Sequence, residues 1–177
     1  MSEKEKMLSG VLYNANDKTL FTERVKAKEL CRKYNSELKK DYLKELLGKT
    51  GENFQIEPNF FCDYGYNIEL GENFYSNHNL VILDPGRVTF GDNVFIGPNC
   101  GFYTAEHPID AETRNSGVEY AFPIKVGNNV WFGGGVTVIG NVTIGDNVVI
   151  GAGSVVTKDI PSNVVAVGNP CKVLKQL

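Results

Sequence analysis

The sequence of 177 residues lacks the features that mark several common classes of protein. No apolar run approaches the ~18 residues that a membrane-spanning helix needs, and the first residues do not show the charged, apolar and small segments of a signal peptide. We therefore expect a cytoplasmic protein without membrane contact. The four cysteines lie far apart and form no CxxC pair, so buried or incidental thiols are expected rather than a metal or redox site.

Basic residues are scarce in most of the chain. Residues 51–177 hold 6 basic and 13 acidic side chains, whereas residues 1–50 hold 12 basic and 8 acidic ones. A nucleic-acid-binding surface needs clustered basic residues, so we expect no nucleic-acid partner. Neither GxxxxGK[ST] nor a strand-GxGxxG-helix unit is present, and the 19 glycines are therefore predicted to be architectural.

A six-residue apolar period runs from Val126 to Ile160. In register it reads VGNNVW, FGGGVT, VIGNVT, IGDNVV, IGAGSV and VTKDIP. A helix with about 3.6 residues per turn would spread the apolar positions around its surface, and hairpin strands would need strict alternation. A triangular coil with three six-residue sides instead directs every sixth side chain inwards. The pattern predicts a parallel β-helix, and its register extends back to Ile56, which gives roughly five coils of about 18 residues.

Two segments depart from the repeat. Residues 1–50 are predicted to form a helical region that packs on the solenoid, with longer helices beginning at Thr22 and Asp41. Residues 51–177 are then the β-helix and its C-terminal tail. Within it, residues 103–123 leave the repeat as an external loop, and a loop of that length inside a regular solenoid is usually functional.

The sequence contains two histidines, and one of them lies in the external loop. His107 precedes a proline there, where it could serve as a general base near neutral pH or be an ordinary surface imidazole. His78 is interpreted as a packed or hydrogen-bonded residue of a coil. Its neighbour Asn77 could be a corner asparagine or a donor to a developing oxyanion, and the sequence favours the corner.

Further polar residues suggest ligand contacts but also have simpler explanations. Asp17 and Asp63 stand among aromatic and polar residues that suit a sugar-sized ligand, although this indication is weak on its own. Lys158, Lys172 and Lys175 are three of the six basic residues after position 50. They suit an anionic ligand lying along the last coils, or they simply keep the C-terminus soluble.

Several segments together resemble a known family. They are CDYGYNI (62–68), NFYSNHN (73–79), TAEHPID (104–110), NNVWFGGG (128–135), VVTKDIPSNVV (155–165) and GNPCKV (168–173). They resemble the maltose and galactoside O-acetyltransferases of the hexapeptide-repeat (left-handed β-helix) acyltransferase superfamily, and KEKMLSGVLYNANDKTL (4–20) looks like the maltose branch. The resemblance implies an all-β left-handed parallel β-helix that forms a homotrimer, with acetyl-CoA bound between neighbouring subunits.

The resemblance also implies roles for individual residues. His107 matches the family's catalytic histidine, and Asn77 matches the asparagine that contacts the acceptor and the transition state. Asp17 and Asp63 fall at acceptor-pocket positions. The positions that match acetyl-CoA-binding residues are Gly134, Ala152, Thr157, Lys158, Lys172 and Lys175. No metal is implied.

The implied activity is that of a sugar O-acetyltransferase. Neutral His107 would take the proton of a hydroxyl on maltose, glucose or a galactoside, and the acetyl group would pass directly from acetyl-CoA. The same scaffold could instead serve serine, an antibiotic or an amino sugar. A γ-class carbonic anhydrase needs three histidine ligands, and the chain has two. A non-catalytic structural β-helix would have no reason to break its repeat at residues 60–79 and 103–123.

Overall fold

The computed structural model describes all 177 residues. The four helices are α1 (Glu3–Leu8), α2 (Lys18–Glu37), α3 (Lys40–Leu46) and α4 (Ala111–Asn115). The nineteen strands are β1 (Tyr13–Asn14), β2 (Phe54–Ile56), β3 (Phe60–Cys62), β4 (Ile68–Leu70), β5 (Phe74–Ser76), β6 (Leu80–Leu83), β7 (Val88–Phe90), β8 (Phe95–Ile96), β9 (Gly101–Tyr103), β10 (Ala105–Glu106), β11 (Val118–Ala121), β12 (Ile124–Val126), β13 (Val130–Phe132), β14 (Thr137–Ile139), β15 (Val142–Ile144), β16 (Val148–Ile150), β17 (Val155–Val156), β18 (Val164–Val167) and β19 (Lys172–Gln176).

Three parallel sheets form the sides of a prism, and the coils wind as a left-handed β-helix. One side contains β4, β7, β12 and β15, and a second contains β3, β6, β9, β14 and β17. The third side has β2, β5, β8, β13, β16 and β18 in parallel, with β19 added antiparallel at its end. This side has six levels rather than the five predicted, because β18 continues the ladder beyond the last clear hexad.

The residues that open the hexads form the core. The six such positions in the clearest repeats are all buried: Val126, Phe132, Val138, Ile144, Ile150 and Val156. A row of phenylalanine rings runs from the preceding coils into these repeats. The rings pack edge to face, and successive centroids are 5.1, 5.0 and 5.3 Å apart, in the order Phe74, Phe90, Phe102 and Phe132. Each such pair contributes about 0.5–1.5 kcal/mol beyond the burial of its area. The predicted inward-facing period is therefore confirmed.

The helices at the start of the chain cover the first coil. Ala27, Leu30 and Tyr34 of α2 join the same buried cluster as Phe54 and Phe60 of the first coil. No helix in the structure has the length and apolar character needed to span a membrane.

The predicted start of the second helix was wrong by four residues. Helix α2 begins at Lys18 rather than Thr22, because Asp17 caps it. The Asp17 carboxylate accepts the backbone N–H groups of Thr19 at 2.9 Å and Leu20 at 3.2 Å. An N-cap residue satisfies donors that the first turn of a helix otherwise leaves without partners, which extends the helix to this point.

The external loop has regular structure of its own. It leaves the prism after β9 and returns at β12, and it contains β10, α4 and β11. Strand β11 pairs antiparallel with β10 and also with β1 from the start of the chain. These three strands form a small sheet outside the prism, which holds the loop against the N-terminal segment.

Candidate active site

A cavity of about 310 Å³ lies between the external sheet and the first coils. Its lining is rich in groups that form hydrogen bonds, and it consists of Tyr13, Ala15, Asn16, Arg24, Asp63, Tyr64, Leu83, Pro85, Ala105, His107 and Glu119. Two of the predicted site residues, His107 and Asp63, therefore face the same space. A larger cavity of about 520 Å³ beside α2 has neither a histidine nor a carboxylate in its lining. The groups that could carry acid–base chemistry therefore line the smaller cavity.

His107 has a carboxylate partner within the loop. Its Nε2 atom lies 3.9 Å from Oε1 of Glu119, and the other oxygen of Glu119 accepts a 2.8 Å hydrogen bond from the Tyr13 hydroxyl. Burial, followed by the neighbouring Glu119 charge, raises the pKa of Tyr13 far above its ordinary value. Tyr13 therefore remains a donor, and it holds Glu119 beside the imidazole. The side chain of His107 is 59% exposed, so a ligand can reach it.

His107 also borders a second cavity. This space of about 470 Å³ lies along the outer part of the loop, and its lining includes the stacked rings of Tyr120 and Phe122, whose centroids are 5.8 Å apart. His107 therefore lines two cavities, and its imidazole is open to approach from both.

Arg24 brings a positive charge to the wall of the first cavity. Its guanidinium donates hydrogen bonds to the Tyr64 hydroxyl at 2.6 Å and to the Ala15 carbonyl at 2.7 Å. Burial raises the pKa of Asp63, and the Arg24 charge opposes that rise. Burial also raises the pKa of Tyr64 to about 12, although Arg24 opposes this shift as well. The sequence offered no local signal for Arg24, which is one of many basic residues near the start of the chain.

A buried carboxylate positions the segment that contains Asp63. Asp84 accepts backbone N–H groups from Asp63 at 3.0 Å, Tyr64 at 2.8 Å and Gly65 at 2.7 Å. Gly65 has a φ of +79°, and a side chain there would collide with Leu46, so only glycine fits this turn. Burial raises the pKa of Asp84 to about 7, even though these hydrogen bonds favour its ionised form.

The other two predicted acceptor residues do not line the His107 cavity within one chain. Asp17 is engaged as the cap of α2, and it is its neighbour Asn16 that faces the cavity. Asn77 lies at the prism edge between the third and second sides, where its Oδ1 atom accepts the His78 N–H at 2.7 Å. His107 follows β9 at a different edge, and this separates the two residues in a single prism.

Asn77 shares its edge with two of the predicted acetyl-CoA-binding positions. The corresponding corner residues in later coils are small, and they include Gly134 and Ala152. Backbone hydrogen bonds stack these corners, as in the 2.9 Å bond from the Gly153 N–H to the Gly134 carbonyl. Gly153 has a positive φ of 72° and no atom within 4 Å of where a side chain would begin. The edge is therefore open to solvent at these corners.

The remaining predicted positions lie beyond these corners, towards the end of the chain. Thr157 and Lys158 follow β17, and Lys172 and Lys175 lie on β19. All four residues are exposed, and none of the three lysines belongs to a salt bridge. Their charges are free to attract an anion.

Aromatic side chains cover part of the outer surface of the third side. Tyr75, Phe95 and Trp131 occupy matching positions on β5, β8 and β13. Phe95 is 50% exposed and Trp131 is 56% exposed. A contiguous row of exposed aromatic residues on a flat sheet is typical of a protein–protein contact.

Comparison with known proteins gives consistent matches along the chain. Residues 6–51 match the family model of the maltose acetyltransferase hexapeptide capping motif, and residues 123–158 match that of the bacterial transferase hexapeptide (six repeats). A maltose O-acetyltransferase from Clostridium difficile 630 is 55% identical, with a TM-score of 0.98 over 100% of this chain and 98% of that one.

Two further structures were determined with ligands. A galactoside acetyltransferase in complex with coenzyme A is 45% identical, with a TM-score of 0.95 over 99% of this chain and 91% of the other. A hexapeptide-repeat acetyltransferase from Vibrio cholerae, complexed with acetyl-CoA, is 35% identical, with a TM-score of 0.93 over 100% of this chain and 99% of the other.

Proposed function

The chain belongs to the maltose and galactoside O-acetyltransferase family of hexapeptide-repeat acetyltransferases, and from this premise we propose that it acetylates a hydroxyl of a small sugar with acetyl-CoA as donor. The main support for the proposal is the position of His107 in the wall of a polar cavity, with Glu119 3.9 Å from its Nε2 atom. Maltose, glucose and galactosides are the proposed acceptors.

The lining of the first cavity suits a polyhydroxylated acceptor. Asp63 and Glu119 supply carboxylate acceptors, Arg24 supplies N–H donors, and Asn16 and Tyr64 supply groups that donate and accept. A sugar ring presents hydroxyls in several directions, each of which needs a partner when water is displaced. The polar lining therefore favours a sugar over an acceptor with a large apolar surface.

His107 acts as the general base. With one ring nitrogen directed at Glu119, the other is available for the proton of the acceptor hydroxyl. The imidazolium that forms is stabilised by the Glu119 carboxylate, which the Tyr13 hydroxyl holds in place. The imidazolium then returns the proton to the leaving thiolate. Asn77 donates its side-chain N–H to the oxyanion that develops during transfer.

The donor is placed along the Asn77 edge. Acetyl-CoA supplies the acetyl group as an activated thioester. Gly134 and Ala152 have little or no side chain, so an extended chain can lie close to the backbone there. Lys158, Lys172 and Lys175 would hold the phosphates, together with the Thr157 hydroxyl, since no carboxylate neutralises them.

We propose that the active form is a homotrimer. Asn77 and His107 lie at different edges of one prism, so they can meet only when the edges of two copies face each other. The row formed by Tyr75, Phe95 and Trp131 supplies an apolar surface for that contact. A site shared between subunits then combines the loop of one copy with the Asn77 edge of its neighbour.

The proposal is tested by His107→Ala, with Glu112→Ala as a control at an exposed position of the same loop. Release of free CoA thiol is followed with and without glucose, maltose or a galactoside. We expect His107→Ala to lower kcat by at least about 10²-fold, while calorimetry still shows acetyl-CoA binding, because only the base is lost. Glu119→Gln should lower kcat less, since the imidazole remains. Normal turnover by His107→Ala would refute the proposal.

A further inference from the structure

The fold brings two thiols together that are 31 residues apart in the chain. Cys31 lies on α2 and Cys62 on β3, and their Sγ atoms are 3.7 Å apart. Both side chains are nearly buried, and neither forms a disulfide. The contact joins the helical N-terminal region to the first coil of the prism, and it lies beside the hydrogen bonds between Asn35 of α2 and the backbone of Phe60.

The largest cavity of the molecule, the space of about 520 Å³ beside α2, lies directly over this pair. Both cysteines are part of its lining, and Lys28, Arg32 and Phe61 contribute to its wall. Because both cysteines line this cavity, a molecule as small as a peroxide can approach residues that are otherwise buried.

The other two cysteines provide an internal comparison. Cys100 is buried and directs its thiol at the Gly133 carbonyl at 3.2 Å, and Cys171 is buried near the end of the chain. Neither lines the cavity beside α2, and neither has a second thiol as a hydrogen-bond partner. Thiol chemistry between neighbours is thus restricted by geometry to Cys31 and Cys62.

We propose that Cys31 and Cys62 form a peroxide-sensitive dithiol that closes to an intramolecular disulfide between α2 and β3. The thiolate of Cys31 attacks one oxygen of the peroxide, the O–O bond breaks, and Cys31 becomes a sulfenic acid while one water leaves. Cys62 then attacks that sulfur, the S–S bond forms, and a second water leaves. The two thiols together lose two electrons and two protons, and hydrogen peroxide is reduced to two waters.

The order of the two steps follows from the surroundings of each sulfur. The hydrogen bond with Cys62 lowers the pKa of Cys31, whereas the same contact, together with burial, raises the pKa of Cys62. The more acidic thiol is the better first nucleophile toward a peroxide. Closure requires the sulfur atoms to approach from 3.7 Å to about 2.0 Å, a shift of less than about 2 Å that a helix packed on a coil can accommodate.

Peptide mapping of the full-length protein tests the proposal. Trypsin places the four cysteines in different peptides: residues 29–32 contain Cys31, 50–87 contain Cys62, 88–114 contain Cys100, and 159–172 contain Cys171. After treatment with hydrogen peroxide and alkylation of free thiols under denaturing conditions, we expect the 29–32 and 50–87 peptides to be joined. Dithiothreitol should release them, and the peptides of Cys100 and Cys171 should remain alkylated.

Single variants separate the two steps and remain informative if the disulfide itself is not formed. In Cys62→Ser, the sulfenic acid of Cys31 should persist and be captured by dimedone, whereas Cys31→Ser should give no capture at residue 62. Far-UV circular dichroism checks that each variant is folded. Equal oxidation of all four cysteines, a disulfide only between chains, or no loss of free thiols in the wild type would overturn the inference.

Discussion

Replacing Asp84 by asparagine tests how the buried carboxylate under the His107 cavity affects stability. Burial raises the pKa of Asp84 from 3.8 to about 7 in the folded protein. Between these values the folded state binds a proton that the unfolded chain has released. The contribution of this group to stability is therefore complete below about pH 4 and is lost as the pH rises through about 7. Asparagine does not titrate, so the variant lacks this pH dependence.

The size of the change in the free energy of unfolding follows from the pH range over which the proton is released. Each unit of pKa difference corresponds to about 1.4 kcal/mol, and the range from pH 5 to the folded pKa of Asp84 covers about two units. The free energy of unfolding of the wild type, measured relative to Asp84→Asn, should thus fall by about 3 kcal/mol between pH 5 and pH 8. The variant also loses the acceptor for the Gly65 N–H. This loss lowers the free energy of unfolding of the variant by about 1–3 kcal/mol at every pH.

Urea unfolding followed by circular dichroism at the two pH values gives this difference. Both proteins must be compared at one concentration, because association would add to the measured stability. Asp92→Asn is the matched control, since Asp92 also accepts a backbone N–H, from Glu72 at 2.8 Å, but is exposed. That control should follow the wild-type curve. A wild-type advantage over Asp84→Asn that is equal at pH 5 and pH 8 would contradict the reasoning.

Two further predictions concern the donor and the assembly. Lys172→Ala/Lys175→Ala should raise the KM for acetyl-CoA by about tenfold at low salt with less effect on kcat, and acetyl-pantetheine, which lacks the nucleotide phosphates, should show little change. An unchanged KM would mean that the phosphates bind elsewhere. Light scattering should give a mass near three times 19.5 kDa, and Trp131→Glu should shift it towards the monomer, because a charge would be buried in the contact. A fully active monomer would contradict the trimer.

The repeat made the solenoid predictable from sequence. An inward side chain at every sixth position has few structural solutions, so residues such as Phe132 and Ile150 could be assigned to the core without coordinates. The long loop was visible for the same reason, since it interrupts the period. Strand β18 was missed because its segment no longer follows the hexad closely, although its backbone still pairs with β16.

The candidate site was only partly predictable. His107 was identified by its place in the loop and by the family motif, but Glu119 is a single carboxylate among many in the sequence. Its role depends on the pairing of β1 with β11, which joins residues that no local pattern connects. Arg24 and Asp84 were missed for the same reason, because each acts through a contact with residues 63–65 or with the N-terminal segment.

The pairing of β1 with β11 differs from the pairing of successive coils in how far apart the joined residues lie in the sequence. At most levels of the prism, contacts between coils join residues 18 or 20 positions apart, whereas the hydrogen bond from Tyr13 to Glu119 joins residues 106 positions apart. Because the entropy of closing a flexible loop grows as (3/2)RT ln n, bringing these two residues together in the unfolded chain costs about 1.5 kcal/mol more than bringing together residues one coil apart. The external loop thus depends on the N-terminal segment for a contact that is not local in the sequence. Lengthening the chain between the two strands would weaken the site before it weakened the prism.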